Sequence, residues 1–195
     1  MRVENLRCPG CGHPVSGETK QCEYCGRIIE ITSFSEAETL TAEDLKKNVA
    51  FYNSVCARSE ENVAAYLSRG ICFLKLKAYK NALESFDKAI SIDFSNAEAY
   101  FYAAVSVLEG KIPFVQQRAK IDMAENYMEN AVIFGDKGIY RYFMAYIRYD
   151  YHYRKSFCVK PDYKEYLLKA KTLGVSSKDI ENLFKLLNLD INRAI

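Results

Sequence analysis

The sequence predicts a mostly α-helical protein built from helical hairpins, and three observations support this fold class. Beyond residue 41, apolar residues recur almost throughout at the spacing of one helix face, whereas alternating strand patterns are scarce. Within residues 63–136, one pattern of aromatic and small residues occurs twice, and its first half returns at the constant offset that separates Tyr66 from Tyr100, which is typical of stacked helical hairpins. Four prolines and nine glycines are few for 195 residues, so we expect little disorder.

Two C-x-x-C-G motifs lie near the N-terminus, separated by residues 12–21. Their cysteines are Cys8, Cys11, Cys22 and Cys25. Each motif places two thiolates on one tight turn, and the glycine that follows permits left-handed backbone there. Four thiolates complete a tetrahedral site with no open position, so the pattern predicts one structural zinc ion rather than a catalytic one.

This stretch resembles the short zinc ribbons found in many bacterial proteins, and the resemblance implies short strands at residues 14–15 and 27–29. Disulfide formation is the alternative, which the lack of a secretory signal disfavours. His13 is expected outside the ligand set. Residues 1–30 carry four basic and four acidic side chains, and four thiolates around zinc add negative charge, so the ribbon is a poor phosphate binder.

Residues 32–41 lack clear periodicity, so we expect a linker between a ribbon at residues 1–31 and a helical domain at residues 42–195. Thr41 and Asp44 form a capping signal for a helix that ends near Arg58. The apolar residues on one face of this helix lie one repeat length before the equivalent residues in the second helix of the next unit. The helix is therefore expected to be the second half of an incomplete leading repeat.

The repeated pattern spans two helices. Its first copy comprises Tyr66, Gly70, Phe73, Tyr79, Ala82, Phe86 and Ala89. Its first half returns as Tyr100, Ala104 and Val107, and its second half returns at a larger offset as Ala124, Met128 and Ala131. This order resembles the tetratricopeptide repeat. The resemblance implies antiparallel helix pairs, which approach closely at small residues while aromatic residues fill the space between hairpins.

The difference between the two offsets places eight additional residues between the helices of the second unit. Pro113 suits a first helical position, and an apolar stripe continues from Val115 to Ala131. We therefore expect the second helix of this unit to be longer by about two turns.

A third unit is expected to start near Ile139, in register with Tyr142, with its second helix beginning at Pro161 and Asp162. Ser176 and Asp179 predict one further helix. Its apolar stripe comprises Ile180, Leu183, Phe184 and Leu187. The prediction is thus about three repeats plus capping helices, with dimerisation of two chains through the last helix as an alternative to capping.

The resemblance also implies a binding surface, because the first helix of each hairpin lines the concave face of such arrays. The residues it assigns to partner binding are Leu67, Ile71, Phe101, Val105, Phe143 and Ile147. A face this apolar should hold an amphipathic helix or peptide of another protein, or the C-terminal helix of the same chain. We favour the C-terminal helix, because its stripe is suitable.

A basic, tyrosine-rich region offers a second functional interpretation. The net charge is only +2, but residues 137–171 carry nine basic and three acidic side chains. Tyrosines interleaved with cations are able to stack bases or hold phosphates. The candidate anion contacts are Arg141, Arg148, Arg154 and Lys155. Packing between helices is the alternative, and we favour it because aromatic stripes on such helices usually form core.

The sequence contains no G-x-S-x-G, H-E-x-x-H or Gly-rich phosphate motif, and it has two histidines. We therefore expect a non-catalytic adaptor or scaffold with the ribbon as a second docking module, and a nucleic-acid-associated factor using residues 137–171 as the alternative. No apolar stretch is long enough to span a bilayer, so a cytoplasmic location is expected. Cys56, Cys72 and Cys158 are interpreted as small buried residues.

Overall fold

The computed structural model describes residues 6–195, which divide into two compact units that meet at Phe94 and Ser95. The first unit contains the cysteine motifs and four helices, α1 (Phe34–Glu38), α2 (Ala42–Arg58), α3 (Val63–Lys75) and α4 (Tyr79–Ile92). The second contains five, α5 (Ala97–Leu108), α6 (Arg118–Phe134), α7 (Gly138–Ile147), α8 (Tyr163–Thr172) and α9 (Ser177–Leu187). The predicted class, mostly α with paired helices and an N-terminal cysteine cluster, is confirmed.

The ribbon contains no extended strands among residues 6–31. The predicted strands are reduced to two isolated bridges, which pair Arg7 with Pro14 and Gln21 with Ile28. The ribbon instead packs on helices of its own unit: the Tyr52 hydroxyl donates to the carbonyl of Ile29, and Ser68 Oγ donates to the carbonyl of Ile31 at 2.9 Å. Both isoleucines are buried. The compact units therefore do not follow the predicted boundaries at residues 31 and 41.

The segment expected to be a linker contains α1. Glu36 accepts backbone hydrogen bonds from Thr32 at 2.8 Å and Ser33 at 3.2 Å, which fixes the start of this short helix. Ala37 is fully buried, and α1 packs on α3. The predicted start of α2 is confirmed, since Thr41 Oγ1 accepts from the Asp44 amide at 3.2 Å.

The α3–α4 hairpin shows why its small residues are needed. A methyl group added at Gly70 would lie 2.7 Å from Phe86 Cζ, closer than packed carbon atoms approach. Phe86 and its neighbours Ala82 and Ala89 on α4 are fully buried. The small residue at position 70 therefore lies where α3 and α4 pack closely, as the resemblance implied.

The eight additional residues of the second unit form mainly a loop, and α6 with 17 residues exceeds α4 with 14 by only about one turn, so the predicted extension by two turns is wrong. Pro113 begins a 3₁₀ turn that ends at Val115, and α6 starts only at Arg118. Gln116 Nε2 donates to the carbonyl of Leu108 at 2.5 Å, and the Phe114 amide donates to Asp150 at 2.8 Å. Contacts with other segments thus replace the helical hydrogen bonds that this stretch would otherwise make.

The third hairpin, α7 and α8, follows the predicted register. Asp162 caps α8 by accepting from the Lys164 and Glu165 amides, and Ser176 caps α9 by accepting from the Asp179 amide at 3.2 Å. A π-helical turn, Arg148–His152, continues α7 and leads into a 3₁₀ turn, Tyr153–Lys155. None of the helices in residues 6–195 is both long and apolar enough to cross a bilayer.

Candidate functional site

The four motif cysteines converge on one point. Their sulfur atoms all lie within 4.8 Å of one another, with Cys8 to Cys25 at 3.8 Å and Cys11 to Cys22 at 3.7 Å. A tetrahedron of sulfurs about 2.3 Å from a central zinc ion has edges of about 3.8 Å. The donor set and its spacing therefore fit tetrahedral zinc, and no ligand position is left for a substrate.

The backbone supports this cluster as the motifs predicted. Gly12 and Gly26 have φ of +76° and +70°, the left-handed conformation that glycine tolerates best. The Gly10 amide lies 3.4 Å from Cys8 Sγ as a hydrogen-bond donor. Both motifs thus present their thiolates from closed turns, which suits a structural metal.

Arg27 joins the ribbon to α2. Its Nη1 donates to Asp44 at 2.9 Å, and its side chain passes so close to Gly10 that an added methyl group there would clash with it. The guanidinium hydrogen bond, followed by that of Thr41, lowers the pKa of Asp44. This cation lies beside a cluster whose zinc–thiolate form is negatively charged, so it can offset part of that charge.

The residues assigned to partner binding are buried in both units. Leu67 and Phe101 are 8 % exposed, and the other four are less exposed still: Ile71, Val105, Phe143 and Ile147. In the second unit, Phe101 contacts Tyr140 and Phe143 through their rings. These side chains therefore form core in the structure described here.

Helix α9 packs against both α5 and α7. Phe184 of α9 meets Tyr146 edge to face, with ring centroids 5.0 Å apart, and Tyr146 lies next to Ile147 on α7. Leu183, Phe184 and Leu187 of the predicted stripe are buried, whereas Ile180 is partly exposed. The apolar stripe of α9 thus packs on the first helices of two hairpins.

The arginines of the basic region are paired internally. Arg141 forms a bidentate pair with Asp136 at 2.6 and 3.0 Å, and the Arg154 guanidinium binds Asp150. The fourth candidate, Lys155, lies over the rings of Phe114 and Tyr151. These residues are therefore engaged in contacts within the fold.

Arg148 belongs to a buried network on the π-helical turn. Its Nε lies 3.3 Å from Glu125, which also faces His152 Nε2 at 3.1 Å. Burial lowers the pKa of His152, although Glu125 opposes the shift. Sequence reasoning missed this cluster, because its members come from α6 and the turn after α7.

Two of the three remaining cysteines agree with their interpretation as buried residues, and one does not. Cys56 and Cys72 are buried, and burial raises the pKa of Cys72 to about 12. Cys158 is exposed, which corrects the expectation, because it lies in the loop between α7 and α8 rather than on a helix face.

Comparison with known proteins agrees with the repeat pattern. Residues 63–96 match the family model of the tetratricopeptide repeat. Among solved structures, "MamA RS-1 ArsTM double mutant" is similar at 18% identity, with a TM-score of 0.54, over 67% of this chain and 66% of that one.

Two further MamA structures are similar at lower scores. "MamA MSR-1 C2" has 15% identity, a TM-score of 0.48 and coverages of 72% of this chain and 86% of that one. "MamA AMB-1 P212121" has 14% identity, a TM-score of 0.49 and coverages of 74% of this chain and 86% of that one. At these identities the first likeness supports the fold alone, and the search of curated proteins finds no match.

Proposed function

We propose that this protein is a non-catalytic interaction scaffold whose α5–α7 face accommodates an amphipathic helix, with α9 as its occupant in the free protein. The observation that carries the proposal is the packing of α9 on α5 and α7, in which Phe184 meets Tyr146 and the neighbouring Leu183 and Leu187 are buried. Proteins commonly recognise an amphipathic helix in this way: apolar residues spaced about one turn apart on the helix pack on an apolar face of the partner. A partner helix with a similar stripe would compete with α9 for the same face.

Helix α9 has the features of a displaceable segment. It is joined to α8 only through Gly174 and Val175, which separate its cap at Ser176 from Leu173. Its capping box stabilises the helix locally, so it can keep its structure when it leaves the face. The tetratricopeptide match of residues 63–96 adds general support, because such repeats usually bind proteins.

The ribbon is proposed to hold one structural zinc ion through Cys8, Cys11, Cys22 and Cys25. Its role in this proposal is to stabilise the first unit, since Tyr52, Ser68 and Asp44 each bond to ribbon residues. A module this small lacks the apolar core to fold alone, so metal binding supplies part of its folding free energy. A separate docking role of the ribbon remains a prediction.

The alternative, a nucleic-acid-associated factor that uses residues 137–171 as an extended platform, has weaker support. Internal carboxylates pair with Arg141, Arg148 and Arg154, so binding to a strand would have to break these pairs. A non-catalytic role is proposed for two reasons. The zinc site leaves no open coordination position, and none of the predicted site residues, as the structure describes them, forms an exposed pair of nucleophile and base.

A labelled peptide of residues 176–189 tests the proposal. In the full-length L183A/F184A variant, α9 should bind its face weakly and leave room for the peptide in trans. Fluorescence anisotropy should therefore show saturable binding to this variant and much weaker binding to the wild-type chain. A matched K178A/E181A variant, which changes exposed residues of α9, should behave like the wild type. Equal binding to all three proteins, or to none, would refute the proposal.

A further inference from the structure

A cavity of about 190 Å³ lies beside the π-helical turn of the second unit. Arg148 and His152 contribute to its wall from the π-helical turn, and Tyr163 and Lys164 from the start of α8. The loop that connects these elements contributes Phe157 and Lys160. Short π-helical segments frequently occur at functional sites, because their irregular hydrogen bonding is costly to maintain.

His152, which lines this cavity, has a ring nitrogen without a hydrogen-bond partner among the described residues. The ring is 1 % exposed, and the unpaired nitrogen is Nδ1. Because Nε2 faces the Glu125 carboxylate at 3.1 Å, Nε2 carries the proton and Nδ1 is left as an acceptor. A buried acceptor without a partner is costly, so a ligand group that donates an N–H or O–H would stabilise it.

The exposed residues of the cavity lining are cationic and aromatic. Lys160 and Lys164 are exposed, and neither has a salt-bridge partner in residues 6–195. The one carboxylate of the lining, Asp162, is occupied as the cap of α8. Phe157 and Tyr153 are 49 % and 57 % exposed, so ring surface is available for stacking.

The volume limits what can enter. A space of 190 Å³ is several times the volume of one water molecule, about 30 Å³, and it is below the size of about 300 Å³ at which drug-sized ligand sites begin. The cavity therefore admits one planar ring, while a charged group attached to that ring would stay outside, near the lysines.

We infer that this cavity binds a single nucleotide unit. The base would stack on Phe157 and Tyr153 and donate an N–H to His152, and the phosphate would lie near Lys160 and Lys164. Base–aromatic stacking is favourable for every base, so the site is expected to tolerate more than one. The inference is independent of the scaffold proposal, because α9 is not part of the cavity lining.

A phosphorylated tyrosine on a partner protein has a ring and a phosphate as well. Its ring carries no hydrogen-bond donor once the phenolic oxygen is esterified, so His152 Nδ1 would remain unpaired. The unpaired acceptor therefore favours a nucleobase. The unit can come from a free mononucleotide or from a single strand, and the two sources are separated by experiment.

Cys158 provides a direct readout, because this exposed thiol belongs to the cavity lining. The full chain is treated with a maleimide in the presence of AMP, CMP, GMP or UMP, and modification of Cys158 is followed by peptide mass spectrometry. At least one mononucleotide should slow modification, and calorimetry should give a matching dissociation constant. A tetranucleotide that protects at far lower concentration than any mononucleotide would assign a single strand as the source.

Two small molecules and one charge-reversal variant test the components of the ligand. Ribose 5-phosphate lacks the base and phenyl phosphate lacks the donor, so both should protect at least about tenfold more weakly than the best mononucleotide. The K160E/K164E variant should lose affinity by about tenfold or more, whereas K169E/K171E, with the same charge change on exposed lysines of α8, should stay within about twofold. Circular dichroism should show that both variants are folded.

The inference would be overturned by an absence of protection by any mononucleotide up to about 10 mM. It would equally be overturned if ribose 5-phosphate protected as well as AMP, which would indicate an unspecific anion site. Stronger protection by phenyl phosphate would assign the cavity to phosphorylated tyrosine instead. Unchanged affinity in K160E/K164E would exclude the lysines as the phosphate contacts.

Discussion

Replacement of Gly70 by alanine sets two effects of similar size against each other. In an exposed helix, alanine is favoured over glycine by about 1 kcal/mol. At position 70, however, the new methyl group would lie 2.7 Å from Phe86 Cζ, and Phe86 is fully buried. Overpacking typically costs about 1–3 kcal/mol beyond any change in propensity, and a contact this short places the cost in the upper part of that range, about 2–3 kcal/mol. On balance we expect Gly70→Ala to lower the free energy of unfolding by about 1–2 kcal/mol.

The cause can be tested in a second background. Phe86→Leu removes the ring edge that meets position 70, at a cost of roughly 1–2 kcal/mol in stability. In this background the methyl group has space, so Gly70→Ala should become neutral or stabilising by up to about 1 kcal/mol. The coupling between the two sites should therefore be about 2 kcal/mol, as expected for residues in direct contact.

The measurement is urea unfolding of the zinc-loaded full chain, followed by far-UV circular dichroism, for the wild type, both single variants and the double variant. If Gly70→Ala were as stable as the wild type, the close approach of α3 and α4 would be wrong. An equal penalty in both backgrounds would show that contact with Phe86 is not the cause.

Three other results are expected. Cys8→Ser and Cys22→Ser should lose the single zinc ion, measured by native mass spectrometry, and should destabilise the first unit, whereas Cys158→Ser should keep the metal; zinc-free wild-type protein from reducing buffer would contradict this. Asp150→Ala, which removes the acceptor of the Phe114 amide and the partner of Arg154, should cost about 2–4 kcal/mol in urea unfolding, and exposed Glu181→Ala less than about 0.5 kcal/mol. Burial lowers the pKa of His152, which faces Glu125, Arg118 and Arg148, so the unfolded chain takes up a proton near the ordinary pKa of 6.5 before the folded chain does. The second unit should therefore lose stability as the pH falls from about 8 to about 5.5, and His152→Gln should reduce that slope; an unchanged slope would show that other groups cause it.

Local signals predicted much of the fold. Thr41, Asp162 and Ser176 each cap the helix that their neighbours predicted, because a cap depends on residues within one turn. The repeated pattern placed Gly70 at a tight contact between two helices, since a repeated pattern reflects repeated packing. The cysteine spacing placed four sulfurs together for the same local reason.

The incorrect predictions depend on contacts between distant segments. A helix was predicted to begin at Pro113, on a stripe that starts at Val115, but Asp150, far along the chain, binds the Phe114 amide and α6 begins only at Arg118. Cys158 was expected to be buried, yet its loop leaves it exposed at a cavity. That cavity requires His152, Phe157 and Lys164 to meet around an irregular turn, which no periodic pattern indicates.

The central claim is that α9 covers the α5–α7 face, and hydrogen exchange measured by mass spectrometry tests it directly. In the L183A/F184A variant, amides of α5 and α7 should exchange faster than in the wild type, whereas α3 and α4 of the first unit should be unchanged. Addition of the peptide of residues 176–189 should restore slow exchange in α5 and α7. If exchange in these two helices did not change in the variant, α9 would not be the occupant of this face, and the proposed scaffold mechanism would be contradicted.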